Sequence, residues 1–256
     1  MPKVMILISA SSGIPFEKIR VRGQESTWIK SIPSFPTVDY RYLTSNEDLK
    51  STFLTRESTY TRIDTTISPS KFNKLVRETD TELEFESSGG WESILSNSIS
   101  GMNWALSNYE FDFLIRTNVS SYWDIGFTLE LLKKLPASRL YAGQRVFALG
   151  GELIEGSGIM FSRDVVEKIC EGREQIDANT MDDVAFGRFL AQKDIPLMHI
   201  PRLWVRTLFD VYNPNLETIK PHTIRCKFER SFLGISFRRD VTLMKTLYHR
   251  LNQISR

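Results

Sequence analysis

Cysteine is scarce: only Cys170 and Cys226 occur in 256 residues, far apart and without a Cys-x-x-Cys partner. That excludes a disulfide-stapled miniprotein and predicts two reduced thiols in a cytosol-like compartment. Long apolar runs are also missing. The longest near the N-terminus, residues 4–10, falls far short of the roughly 20 residues a bilayer-spanning helix needs. It runs straight into Ser11 and Ser12 with no small-residue cleavage region, so it reads as a buried strand rather than a signal peptide. The expectation is a soluble, cytoplasmic chain. Charge of one sign is not in excess either, with 33 Lys and Arg against 31 Asp and Glu and a formal net charge of +2. A near-neutral chain without a recognisable nucleic-acid motif is not expected to bind nucleic acid. With 41% hydrophobic and 25% charged residues, disordered and collagen-like chains are excluded, and the length suffices for a substantial core.

What charge asymmetry there is lies at the C-terminus. Residues 221–256 carry eight Lys and Arg against Glu229 and Asp240. Such a segment suits an anionic partner, a diphosphate or a membrane surface, or is simply a solvated basic helix. Within it Val241, Met244, Leu247 and Leu251 recur at helical spacing, which predicts a helix packed on the domain or lying on a membrane surface.

The rest alternates strand and helix signals. The apolar run opening the chain ends in Ser9-Ala10-Ser11-Ser12-Gly13, a strand leading into a small-residue loop. Residues 20–30 read as a helix broken at Pro33, 38–43 as a strand, 46–72 as a loop with a short helix, and 83–85 as a short strand. Trp91, Ile94, Leu95, Ile99, Met102 and Leu106 recur at three and four and predict a helix over 91–109. Residues 111–116 form a second buried strand, 123–135 a helix, 141–147 and 158–161 short strands, 163–170 and 183–191 helices, and 197–205 a strand. Helices between non-adjacent strands predict a mixed, largely parallel α/β sheet. The expected organisation is one domain over residues 1–220, with halves meeting near 120, and a basic helical tail over 221–256.

Three stretches carry candidate chemistry. Gly156-Ser157-Gly158-Ile159-Met160-Phe161-Ser162 combines a turn that lets backbone approach a ligand, a short strand and a Ser162 N-cap. Asp182 and Asp183 open the next helix, where the dipole favours negative charge and a general base would stay ionised; capping that helix is the simpler role. Thr117-Asn118-Val119-Ser120-Ser121 stands at the carboxyl end of a buried strand, where open α/β sheets present ligand groups, although Asn and Ser also suit an ordinary turn.

Taken in order, these stretches resemble the β1,3-glycosyltransferases of the galactosyltransferase and Fringe type, over about residues 6–190. Arg22-Gly23-Gln24-Glu25-Ser26-Thr27-Trp28 is similar to an Arg-x-x-x-x-Thr-Trp element of that family. The helix ending in Gly101-Met102-Asn103-Trp104 is similar to its Gly-x-x-Trp helix, with Asn97 where the family usually has Lys. Gly156 to Ser162 resembles its small-residue strand, and Asp182-Asp183-Val184-Ala185-Phe186-Gly187 resembles its Asp-Asp-x-x-x-Gly motif. The resemblance implies a GT-A fold and transfer of a sugar from a nucleotide diphosphate, a UDP-sugar being favoured, to a glycan acceptor hydroxyl. It implies Asp183 as the base of an inverting reaction and Asp182 as an orienting group. Ser9, Ala10, Ser11, Arg20 and Arg22 would contact the nucleotide, and Thr117, Asn118 and Ser120 the ribose and diphosphate. Gly156, Ser157, Gly158 and Trp123 would line the sugar pocket, and Trp204 could stack on a sugar. One departure matters. Where the family has an Asp-x-Asp that holds Mn²⁺, this chain reads Asn118-Val119-Ser120, with no carboxylate before Asp124. Hard divalent cations need anionic oxygens at short range. The expectation is therefore that His222, Arg225 and Lys227 take the diphosphate charge, or that Asn118, Asp124 and His222 hold a weakly bound Mn²⁺ or Mg²⁺. Two other readings stand beside this one, a retaining transferase of the same fold and a carbohydrate-binding relative without catalysis.

Overall fold

Val4–Ser9 (β1) is a run of β-favouring side chains, buried from Val4 to Ile8, and its neighbours on both sides run parallel to it. The computed structural model describes residues 1–10, 14–46, 72–87, 93–213, 216, 221–227, 229–232 and 235–254. Ser11, Trp91 and most of the expected 46–72 loop lie outside them. The remaining strands of the main sheet are β2 (Val38–Ser45), β3 (Leu75–Glu78), β4 (Glu82–Phe85), β5 (Phe113–Asn118), β7 (Tyr141–Ala148), β8 (Gly151–Ser162) and β9 (Leu197–His199). Among the described residues they form one sheet in the order β3-β4-β2-β1-β5-β8-β7-β9. β4, β2, β1 and β5 are parallel, β8 is reversed, β7 and β9 return to the common direction, and β3 is an antiparallel edge. The largely parallel α/β sheet expected from the sequence is what forms.

Side chains alternate across this sheet and feed two cores. Ile6, Ile8 and Ile115 face one side, with Trp28, Ile125, Leu129, Met244 and Leu247. Leu7, Leu114 and Phe161 face the other, with Ile99, Met102, Val165 and Phe186. The helices are α1 (Ile14–Ile19), α2 (Ser93–Asn108), α3 (Ile125–Leu132), α4 (Arg163–Glu171), α5 (Asp182–Gln192), α6 (Leu208–Val211) and α7 (Asp240–Ile254). A small sheet in the order β10-β11-β6 joins β6 (Ser121–Trp123), β10 (Leu203–Trp204) and β11 (Thr223–Arg225), and β12 (Glu229–Phe232) pairs with β13 (Ile235–Arg238).

Several elements differ from their sequence expectation. Residues 20–30 are a π turn, Arg20–Gln24, followed by a 3₁₀ segment, Ile29–Ser34, that contains Pro33. Trp123 belongs to β6, and α3 begins only after Asp124, whose carboxylate caps it by accepting from Phe127 N (3.0 Å). The apolar 197–205 stretch splits into β9 and β10, in different sheets, around Pro201, which has no N–H to offer a ladder. Ser162 sits at the N-cap of α4 but its hydroxyl does not cap; it donates to Asp164 Oδ1 (2.5 Å) and accepts from Leu140 N (2.9 Å). The C-terminal segment is less of a tail than its charge suggests: β11 is the middle strand of the small sheet, and Met244 and Leu247 of α7 are fully buried. Both cysteines are free and buried, and burial pushes the Cys170 thiol up to about 12.

Candidate active site at the carboxyl ends of β1 and β5

Ser9 and Asn118 are register partners at the ends of adjacent parallel strands, the edge where an α/β sheet presents ligand groups. The backbone around them is tied from below. Gln24 Nε2 donates to Asn118 O (3.2 Å) and Ser121 O (3.0 Å), and Trp28 Nε1 donates to Ser121 O (3.1 Å). The Arg-x-x-x-x-Thr-Trp stretch therefore acts through Gln24 and Trp28, while Arg22 is exposed. Asn118 Oδ1 accepts from Ser120 N (3.1 Å), closing the turn into β6. Thr117 Oγ1 donates to Ser157 O (2.7 Å) and accepts from Trp123 Nε1 (3.0 Å); Ser121 Oγ also donates to Ser157 O (2.6 Å). These bonds lock the end of β5 to the Gly156–Gly158 stretch of β8.

The two aspartates have different surroundings. Asp182 is buried and forms an ion pair with Arg116 of β5, whose guanidinium also donates to Gly156 O. Burial raises the Asp182 carboxyl to about 6, Arg116 opposing and Asp183 adding to the shift. Asp183 is half-buried: its Oδ2 accepts from Gly156 N (3.1 Å) and its Oδ1 from Val184 N (2.9 Å). A carboxylate has about four lone-pair sites, so this anchoring leaves two free. The glycines set the distances. A Cβ on Gly187 would stand 2.9 Å from Leu153 Cβ, so α5 rests directly on β8, and a Cβ on Gly156 would meet the Arg116 guanidinium at 2.8 Å. The spacing Asp-Asp-x-x-x-Gly thus places a carboxylate on the backbone of the small-residue strand.

Trp123, expected to line a sugar pocket, is fully buried and braces Gly158, where a Cβ would lie 3.1 Å from the indole. His222 is buried 5.8 Å from the Trp123 ring, and burial pushes its imidazole down to about 4. Buried polar atoms around these strand ends without a hydrogen-bond partner among the described residues include Ser9 Oγ, Gln24 Oε1, Ser157 Oγ and His222 Nε2. Native proteins satisfy nearly all such groups, and a polar ligand is one way to do so.

The donors expected for a divalent cation are partly engaged. Asn118 Oδ1 is used in its own turn, the Asp124 carboxylate caps α3, and no group of three or more His, Cys, Asp or Glu able to hold a metal occurs among the described residues. Cationic side chains are more plentiful. Arg238 donates to Ser120 Oγ (2.7 Å) and to Asp240, and Arg225 and Arg202 both pair with Glu155. Arg20 lies elsewhere, paired with Glu82 (3.3 Å) and Glu25 (3.6 Å) over the Tyr42 ring, and Lys227 follows β11. Of the expected residues, the structure brings together Ser9, Thr117, Asn118, Ser120, Gly156, Ser157, Gly158, Asp182, Asp183, Arg225 and, behind them, Trp123 and His222. It adds Arg116, Gln24, Glu155, Arg202 and Arg238. Arg116 was open to detection as the lone charge in the apolar strand Phe-Leu-Ile-Arg; the others carry no local signal.

No family model and no curated protein sequence matches the chain, so the resemblance to the β1,3-glycosyltransferases rests on the motifs alone. Among solved structures the chain is similar to the mannosyltransferase PcManGT from Pyrobaculum calidifontis in complex with GDP-Man and Mn2+. The TM-score is 0.44 and the identity 13%, over 78% of this chain and 55% of that one, so the chain spans little more than half of its neighbour's length. A likeness at this level assigns no role to any residue here. No helix among the described residues is long and apolar enough to cross a membrane.

Proposed function

We propose that the chain is a GT-A glycosyltransferase moving a sugar from a nucleotide diphosphate, a UDP-sugar by the family resemblance, to a glycan acceptor hydroxyl, in surface glycan or polysaccharide synthesis. The observation that carries this is the half-buried Asp183 carboxylate, fixed by Gly156 N–H and Val184 N–H beside the strand ends with their unpartnered polar atoms. In the inverting reaction Asp183 takes the acceptor's hydroxyl proton as that oxygen bonds to the anomeric carbon. The bond from that carbon to the diphosphate breaks on the opposite face, and the nucleotide leaves with the electron pair. Asp182 and Arg116 hold the Gly156 backbone that positions the base. Ser9 and Ala10 border the nucleotide, Asn118 and Ser120 the ribose and diphosphate, and Ser157 and Gly158 the sugar.

Titration calorimetry with UDP and GDP, first in EDTA and then with Mn²⁺, tests the donor half of this reading. Binding of at least one nucleotide in EDTA is expected. Binding only with Mn²⁺ would return the cation to the site, and none in either condition would favour the carbohydrate-binding alternative.

A further inference from the structure

The guanidiniums around the site are not evenly matched. Arg116 has Asp182 and Arg238 has Asp240, one carboxylate each. Arg202 and Arg225 share the single carboxylate of Glu155, Arg225 Nη1 standing 3.3 Å from Oε1 and Arg202 Nη2 bonded to Oε2. Their side chains are only 4% and 12% exposed, and Arg202 Nη1 and Arg225 Nε are buried without a partner among the described residues. Burial pulls Arg202 down to about 10, with Glu155 opposing and Arg225 adding to it. One positive charge is therefore held out of water with N–H groups to spare, an arrangement that is unfavourable until an anion joins it.

Its position gives it a use. Glu155 directly precedes Gly156, whose N–H anchors Asp183, and Arg225 is the register partner of Ser121 at the turn that follows β5. On the outer side Arg202 lies 5.3 Å over the Trp204 ring, which is 46% exposed and marks the solvent edge. Paired planar guanidiniums match the oxygens of a phosphoryl group in a way a single ammonium does not.

We propose that Arg202 and Arg225, aligned by Glu155, form a binding site for a phosphoryl oxyanion beside Asp183. This rests on the glycosyltransferase reading for its purpose, not for its chemistry. The oxyanion is either the diphosphate of the donor or a phosphate on the acceptor. In the first case these two arginines supply the positive charge that the missing Asp-x-Asp would have recruited as metal.

The test is calorimetry with inorganic pyrophosphate in EDTA on the full chain and on Arg202→Gln, Arg225→Gln and Glu155→Gln. Wild type is expected to bind it, Arg202→Gln and Arg225→Gln to bind at least about tenfold more weakly, and Glu155→Gln to bind more tightly, because the competing carboxylate is gone. Arg202→Lys, which keeps the charge and loses the fork, guards against misfolding and is expected to fall between. Pyrophosphate competing with UDP or GDP identifies the donor diphosphate; pyrophosphate binding alongside them and displaced by glucose 1-phosphate identifies the acceptor. Absence of wild-type binding, or equal binding in all the arginine variants, overturns the site. Sugar transfer that persists with unchanged pyrophosphate binding in those variants refutes the site and leaves the transferase reading intact. Pyrophosphate binding in a chain that turns over no nucleotide sugar does the reverse.

Discussion

Asp182 and His222 are both buried beside the site, and burial moves them in opposite senses. The Asp182 carboxyl, raised from 3.8 to about 6, favours its neutral form in the folded chain, so the stability it contributes is full below the free value and is lost as pH rises through about 6. The His222 imidazole, lowered from 6.5 to about 4, contributes stability that is full above the free value and is lost as pH falls through about 4. Between about pH 4 and pH 6 the two slopes therefore oppose one another. Urea unfolding across this range is expected to separate them. His222→Gln should leave a stability that falls, relative to wild type, as pH rises, and Asp182→Asn one that climbs. Curves that stay parallel to wild type would show that neither group is perturbed. The aspartate pair itself was legible in the sequence, but the division of labour was not. Which of two adjacent carboxylates is buried depends on Arg116, 66 residues upstream and visible only as an isolated charge in an apolar strand.

At the scale of elements, the contact of α5 with β8 decides where Asp183 stands. Gly187→Ala would place a methyl 2.9 Å from Leu153 Cβ and 3.4 Å from the Tyr141 hydroxyl, which pushes the helix off the strand. The expected cost is about 1–3 kcal/mol of stability. Because the same shift draws Asp183 away from Gly156 N, kcat should fall more than nucleotide affinity; a loss of stability with kcat unchanged would contradict this coupling. Apolar periodicity announced α2, and the helices α4 and α5 and the central strands were legible, but the contact of α5 with β8 was not. Other elements were misjudged where tertiary contacts overrode local signals. Trp123 looks like the start of an apolar helix, yet it pairs in β6 because Thr117 accepts its indole N–H and β11 lies alongside. Residues 20–30 read as one helix, but the bonds that Gln24 and Trp28 make to the end of β5 accompany a backbone broken into π and 3₁₀ turns.

For the whole molecule, α7 is the element that makes the C-terminal segment part of the site. Met244 Sδ would lie 3.0 Å from a Cβ on Gly23, so the helix packs on the π turn whose Gln24 supports Asn118 and Ser121. Met244→Ala is expected to remove about 2–5 kcal/mol of stability and also to weaken nucleotide binding through Gln24. Urea unfolding and calorimetry together check this, and unaltered binding in a destabilised variant would uncouple α7 from the site. The apolar spacing of α7 was legible; its target was not, since nothing in residues 20–24 marks a docking surface for a helix more than 200 residues later. A separation of 47 residues likewise hid the pairing of Glu155 with Arg202, which directly precedes β10 of the small sheet.

The central claim is that Asp183 is the base of a sugar transfer. Its most direct test is release of nucleoside diphosphate from a panel of UDP- and GDP-sugars with simple sugar acceptors, wild type against Asp183→Asn, each paired with calorimetric binding of the nucleotide. The expected result is turnover by wild type, a fall of about 10²- to 10⁴-fold in the variant, and nearly equal nucleotide affinity. Turnover retained by Asp183→Asn would contradict the account.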